Sequence, residues 1–238
     1  MNEGIAVETV PLDAVGIPAE LKADPQWVGW RREWDPDANK GEGGWVKPAY
    51  TLGDRKAAST RSADWTTFEA AQRGLTKPGK PFDGVGRAIT GDDVIIFVDL
   101  DHCRAPETGE IRPWADGQRD KWPAGTPEPA EIIERLDSYT EVSPSGTGVH
   151  IVLRGSKTHG DCKRADFECY DHARFLYMTG QRLEGTPAEV NDRTDELTKI
   201  CEAFFGAANA GHQRPSAHQR QHAAFRRRRG AAERGRLF

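Results

Sequence analysis

The stretch Val94-Ile95-Ile96-Phe97-Val98-Asp99-Leu100-Asp101 decides how this chain is read. Five apolar residues, most of them β-branched, follow the turn formers Gly91-Asp92-Asp93 and run into two carboxylates at i and i+2. Such a run predicts a buried strand. Side chains alternate along a strand, so Asp99 and Asp101 point to one face and Leu100 to the other. Two carboxylates side by side at the end of a buried strand repel each other. A divalent cation relieves that repulsion, and hard cations such as Mg²⁺ take oxygen ligands. Taken alone, the Asp-x-Asp fits a strand that ends in a solvated acidic turn equally well.

Around this stretch lie 238 residues, enough for one large domain or two small ones. Hydrophobic residues make up 37% and include seven Trp, enough for a real core. Charged residues at 29% and a mean hydropathy of −0.71 indicate a soluble protein. No apolar run approaches the roughly 20 residues that span a bilayer, so no membrane partner is expected. Met1-Asn2-Glu3-Gly4 lacks the basic and apolar regions of a signal peptide, and a cytoplasmic location is expected. The net charge of −4 hides an asymmetry: residues 207–238 hold eight Arg and one Glu, a +7 segment beside −11 in residues 1–206. The four cysteines form no Cys-x-x-Cys and are read as reduced thiols.

Along the chain, residues 1–17 read as a loose leader, 18–206 as the folded domain and 207–238 as a basic disordered tail. Pro18–Lys22 suggests a short helix and Gln26–Trp30 a strand. Ser62 is placed as the cap of a helix through Arg73, with Trp65, Phe68 and Ala71 inward. Val85–Thr90 and Val94–Asp101 read as a strand pair joined by the Gly-Asp-Asp turn. Residues 103–127, rich in Pro, Gly and charge, read as a long loop. Glu128–Leu136 reads as an amphipathic helix, with strands at Tyr139–Val142, Val149–Arg154, Phe167–Tyr170 and Phe175–Thr179. Asn191 or Asp192 caps a last helix carrying Leu197, Ile200, Ala203 and Phe204. Strands and helices mixed without strict alternation give an α+β class.

Two further constellations carry chemistry. Ser143-Pro144-Ser145-Gly146-Thr147-Gly148-Val149-His150 runs into the strand Ile151-Val152-Leu153. Gly146 and Gly148 let backbone N–H groups approach an anion closely, as in phosphate-binding turns, although an ordinary hairpin turn has the same composition. His150 sits two residues into the strand, on the face opposite Val149 and Ile151, from where it could donate to a phosphate oxygen. Phe167-Glu168-Cys169-Tyr170-Asp171-His172-Ala173-Arg174-Phe175 brings Glu168 as a candidate third carboxylate and Arg174 at the start of the next strand.

In this order, Asp-x-Asp, then Ser-Gly-x-Gly-x-His, then Glu-x-Tyr-x-x-x-Arg-Phe, the chain resembles the archaeo-eukaryotic primase superfamily, and within it the primase–polymerase domains of phages and plasmids. Trp27-Val28-Gly29-Trp30, Lys47-Pro48-Ala49-Tyr50, Ala58-Ser59-Thr60, Trp65 with Phe68-Glu69-Ala70, and the run Ser138–Gly146 extend the resemblance over roughly residues 18–206. Lys47 and Pro48 are adjacent where the family has one residue between them. The resemblance implies a primase-like core with an RRM-like sheet and an N-terminal α/β subdomain. It implies nucleotidyl transfer by two metal ions. Asp99, Asp101 and Glu168 would hold Mg²⁺ or Mn²⁺, and Ser145, Gly146, Gly148 and His150 would bind the triphosphate. Lys47 and Arg174 would contact phosphate or template. The implied partners are a single-stranded DNA template, dNTP or NTP, and a replicative helicase encoded separately or missing from this chain.

Three other readings stand beside this one. His159-x-x-Cys162 and Cys169-x-x-His172, six residues apart, could fill a tetrahedral Zn²⁺ site. A haloacid-dehalogenase-like phosphatase also ends a strand in Asp-x-Asp and uses Mg²⁺, but Asp101 is followed by His102-Cys103, which fits that pattern poorly. A non-catalytic nucleic-acid-binding module would use the basic tail.

Overall fold

The computed structural model describes residues 9–116 and 122–207. The basic segment from residue 208 onward, and residues 1–8 of the expected leader, lie outside the described residues. Within them the strands are β1 (Trp27–Trp30), β2 (Glu33–Asp35), β3 (Gly44–Val46), β4 (Ala49–Tyr50), β5 (Gly84–Ile89), β6 (Ile95–Leu100), β7 (Thr140–Val142), β8 (Val149–Arg154), β9 (Lys163–Arg164), β10 (Phe167–Tyr170) and β11 (Arg174–Met178). They form an antiparallel five-stranded sheet, β7-β8-β6-β10-β9, an antiparallel four-stranded sheet, β11-β5-β1-β4, and the hairpin β2-β3.

β6 is the centre of the five-stranded sheet, and both of its faces are covered. Ile96, Val98 and Leu100 pack with Val149, Ile151 and Phe167 against the helices Pro129–Leu136 and Thr194–Phe205. Ile95 and Phe97 face the other way, into a cluster with Val85, Ile89, Leu176 and Trp27 of the four-stranded sheet. Double burial is why the run 94–98 shows no polar alternation. Pro129 opens its helix at the first turn, where no N–H is needed. Ile132, Ile133 and Leu136 supply the buried stripe. Asp137 ends that helix in the left-handed region, at φ 34°. Arg135 ties the two helices together through Glu196, Nε to Oε2 at 3.1 Å.

The α+β expectation agrees with this mix of helices and antiparallel sheets, but several details differ. β5 and β6 are not a hairpin. β5 pairs with β1 and β11, β6 with β8 and β10, and the 90–94 turn carries the chain from one sheet to the other. Asp93 in that turn serves the buried Arg87 of β5 instead, at 2.9 Å. The chain crosses back between β10 and β11, so the sheet built from the N-terminal half is completed by Arg174–Met178 and is not purely N-terminal. Ser62 does not cap a helix through Arg73. It opens a single 3₁₀ turn, Trp65 returns to extended backbone, Thr66 pairs with Trp27, and the helix Phe68–Arg73 is capped by Thr67, which accepts from Ala70 N. The last helix has Arg193 at its cap position, and Asp192 Oδ1 accepts from Thr194 N at 3.2 Å. Residues 9–17 are no loose leader. Val10 N donates to Pro144 O at 3.0 Å, Asp13 N to Thr179 O at 2.7 Å, and Ile17 is buried. No helix among the described residues is long and apolar enough to cross a membrane.

Candidate active site

Strand register builds the site. Glu141 of β7 lies opposite His150 of β8, His150 opposite Asp99 of β6, Asp99 opposite Glu168 of β10, and Glu168 opposite Lys163 of β9. Five ionisable residues thus form one row across the sheet. By strand alternation the row shares its face with Ile95, Phe97 and Val152, the face turned to the four-stranded sheet. Asp101 follows directly after β6, its N–H donating to Asp166 O at 2.9 Å.

Asp99 is the centre of the row. Its side chain is 21% exposed, and Oδ1 has no hydrogen-bond partner among the described residues. Burial pushes its carboxyl up to about 6; His150 and Lys47 oppose the rise, and Asp101 and Glu168 add to it. His150 Nε2 lies 3.6 Å from Asp99 Oδ1, and Nδ1 lies 3.6 Å from Glu141 Oε1, both longer than a hydrogen bond. Burial works against the imidazolium, yet the Asp99 and Glu141 carboxylates raise the His150 pKa above its ordinary value. Lys47 comes from the segment between β3 and β4, outside the five-stranded sheet, and lies within electrostatic range of Asp99 and Asp101. Burial lowers its pKa while those two carboxylates hold it up. The sequence-predicted Asp99, Asp101, Glu168, His150 and Lys47 are therefore brought to one place.

Glu168 is turned outward along the row. It is ion-paired with Lys163 and accepts from Tyr170 OH at 2.6 Å. Arg174 reaches the same group indirectly, with Nη2 donating to Tyr170 OH at 3.1 Å and its guanidinium 4.5 Å from that ring's centroid. As the side chains stand, no three His, Cys, Asp or Glu groups among the described residues close into a ready metal cage. The donor set nevertheless suits a hard divalent cation. It offers carboxylate oxygens, one of them buried and unpartnered on Asp99.

The Ser-Gly turn packs against the acidic strand end. A Cβ on Gly148 would lie 2.5 Å from Leu100 O and 3.3 Å from Asp101 Cα, so only glycine lets the turn approach this closely. Gly146, at φ +77°, allows the turn itself. Its N–H is not free for an anion, as its composition suggested, because it donates to Ser143 O at 2.9 Å. The turn also carries three hydroxyls. Ser145 Oγ lies 3.0 Å from Ser143 Oγ and 2.9 Å from Thr147 Oγ1. Arg104 Nη1 anchors the turn on Gly146 O at 2.8 Å.

The zinc quartet does not assemble. Cys169 faces the helices beside Cys201, Cys162 accepts from Lys157 Nζ at 3.1 Å, His159 stacks on Phe205 at 5.0 Å, and His172 lies against Asp171. Alternation along β10 puts Cys169 on the face opposite Glu168. Glu141 and Lys163, which the sequence reading passed over, belong to the row. For Glu141 the available signal was its place in the run leading to Ser143, two residues before the turn.

No family model matches the chain. Among curated proteins it is similar to a DNA primase-polymerase of Nitratiruptor phage NrS-1, 30% identical over 178 residues, which is 71% of this chain and 21% of the phage protein. The chain spans about a fifth of that relative's length. The motif-based resemblance to phage-type primase–polymerases is shown by this relative.

Proposed function

We propose that this chain catalyses template-directed nucleotidyl transfer, adding a dNTP or NTP to a primer 3′-hydroxyl on single-stranded DNA in replication of a phage or plasmid type. The observation that carries the reading is the buried Asp99 Oδ1, without a hydrogen-bond partner among the described residues, set between His150 and Glu168 and beside Asp101. A binding module has no use for such an arrangement. A phosphatase reading leaves the His150 side of the row without a role. β6 also has antiparallel neighbours on both sides, unlike the parallel sheet of a doubly wound α/β enzyme.

The five-stranded sheet supports the RRM-like part of the reading. β6 is central, β8 and β10 flank it, and the helix Pro129–Leu136 lies between β6 and β7. Asp99, Asp101 and Glu168 would hold Mg²⁺ or Mn²⁺. Bound there, divalent ions lower the pKa of an attacking hydroxyl and neutralise triphosphate and pyrophosphate charge. The chain's own residues do the positioning that phosphoryl transfer depends on. Lys47 offers a partly desolvated ammonium to a phosphate, and Ser145 a hydroxyl held by the Gly146 turn. Gly148 keeps that turn against the carboxylates. His150 faces the incoming nucleotide, and its two carboxylate neighbours favour the charged form of its ring against burial. Arg174 reaches template or phosphate from the Tyr170 side. A replicative helicase, encoded separately or in a longer chain, is the protein partner in this reading.

The test is extension of a labelled primer, beside an unprimed single-stranded template, with Mg²⁺ or Mn²⁺. Wild type incorporates nucleotides. Asp99→Asn and Asp101→Asn do not, while retaining the melting profile of a folded chain and losing Mn²⁺ binding by calorimetry. Undiminished incorporation by Asp99→Asn overturns the assignment.

A further inference from the structure

The hairpin β2-β3 is a two-stranded sheet of its own, outside both larger sheets. Trp34 and Trp45 are directly opposite in its register, and their rings meet edge-on at 5.7 Å. They are 49% and 45% exposed, and with Val15 and Leu52 they are the large apolar side chains left exposed among the described residues. An isolated two-stranded hairpin is marginal in water, and a cross-strand aromatic pair supports it. That support accounts for the edge contact but not for the half of each indole left in solvent.

The charge around the pair is one-sided. The Arg32 guanidinium lies over the Trp45 ring at 5.0 Å. The strand carboxylates Glu33 and Asp35 alternate to the opposite face, where Glu33 accepts from Tyr50 OH and Asp35 Oδ1 accepts from Asp37 N at 2.9 Å. The outward face of the strands is thus aromatic and cationic. It is also next to the site. β3 ends at Val46, and the following residue is Lys47, which reaches Asp99 and Asp101. Two residues of extended chain cover at most about 7 Å, so the Trp45 backbone lies within that distance of the Lys47 backbone.

We propose that the Trp34–Trp45 face is a stacking platform for the single-stranded template, with bases laid on the indoles and a neighbouring phosphate drawn to Arg32. This rests on the primase–polymerase reading above. Indole faces accept any base, because every base has a π-face, and the guanidinium answers the backbone charge without reading sequence. The platform therefore holds template of any sequence beside the carboxylates.

The experiment is anisotropy of a labelled single-stranded oligonucleotide against the full chain without divalent ions, for wild type, Trp34→Leu, Trp45→Leu, Trp34→Phe and Trp45→Phe. Leucine keeps apolar bulk and removes the π-face; phenylalanine keeps a π-face. The leucine variants are expected to lose about tenfold in affinity, and the phenylalanine variants to stay within about threefold of wild type. Oligonucleotide binding should quench wild-type tryptophan fluorescence more than that of Trp34→Phe. Should a leucine variant unfold, the phenylalanine variants and the quenching difference decide. Equal affinity in all five proteins, with equal quenching, overturns the platform even if wild type extends primers. Loss of binding in the leucine variants alone, together with a wild-type chain that incorporates no nucleotide, supports the platform and overturns the nucleotidyl-transfer reading instead.

Discussion

Glu141 stands beside His150 in register, and the two are buried together, with Oε1 3.6 Å from Nδ1. The Glu141 carboxylate is satisfied elsewhere. It accepts from Thr179 N at 3.1 Å, Gly180 N at 2.8 Å and Tyr139 OH at 2.8 Å. It is therefore a fixed negative charge behind the imidazole, leaving Nε2 turned toward Asp99. Removing His150 should act on the nucleotide. His150→Ala is expected to raise the nucleotide KM about tenfold or more while template Kd stays within about twofold, an effect of at least ~1.4 kcal/mol. Equal loss of both affinities, or of neither, counts against the assignment. Glu141→Ala should instead lower stability by roughly 2–4 kcal/mol, because it strands two buried backbone N–H groups.

Without divalent ions, stability should fall as pH rises through the range in which Asp99 titrates. Its carboxyl is raised to about 6 in the folded chain, from about 3.9 in an unfolded one. The folded state thus holds the proton more tightly. The stability linked to this group is complete below about pH 4 and lost as pH rises through 6, by up to ~3 kcal/mol. His150, also raised, adds a loss of the same sign above its ordinary value. Urea melts between pH 4.5 and 7.5 should show the decline for wild type and a flatter profile for Asp99→Asn. An identical slope in the variant sinks the explanation.

Gly148→Ala tests the close approach of the Ser-Gly turn. The added methyl would lie 2.5 Å from Leu100 O, a backbone atom that cannot swing aside. The turn must lift away from Leu100 and Asp101, at about 1–3 kcal/mol. Incorporation should fall at least tenfold in a chain that still melts cooperatively. Wild-type kinetics in this variant would show that the turn does not depend on that contact.

Arg87 is 1% exposed and is gripped by both oxygens of Asp93, at 2.9 and 3.2 Å, with Asp24 at 3.1 Å. Asp93 belongs to the turn that crosses between the sheets, so Asp93→Ala leaves a buried guanidinium short of its main partner. A loss of roughly 3 kcal/mol is expected. Asp24 is 57% exposed, and Asp24→Ala should cost under about 1 kcal/mol. Equal losses by chemical denaturation would show that burial does not set the difference.

Elements whose local pattern carries their burial were legible from the chain alone. The run 94–98 had to be strand because both faces of β6 are covered. β8 and β10 fall where the apolar runs place them, at Val149–Arg154 and Phe167–Tyr170. Alternation placed His150 on the face opposite Val149 and Ile151. The Asp-x-Asp, the Ser-Gly turn and Glu168 could be named because their chemistry is written in short, ordered motifs.

Which strands meet, and in what register, was decided only by tertiary structure. Alternation says which face a side chain takes but not what stands opposite it. Asp99 flanks His150 through the pairing of β8 with β6, a strand distant in the chain, and nothing local announces it, whereas Glu141 comes from β7, the strand just before the turn. Lys47 enters from the segment between β3 and β4, outside the five-stranded sheet. The same limit misled the reading of β5 and β6, whose short connection suggested a hairpin. It also separates the Cys/His pairs, close in sequence, where Cys169 packs in the helix-side core and Cys162 against the other one. Local periodicity is set by the backbone of a few residues, whereas the company a side chain keeps depends on burying both faces of the central sheet at once.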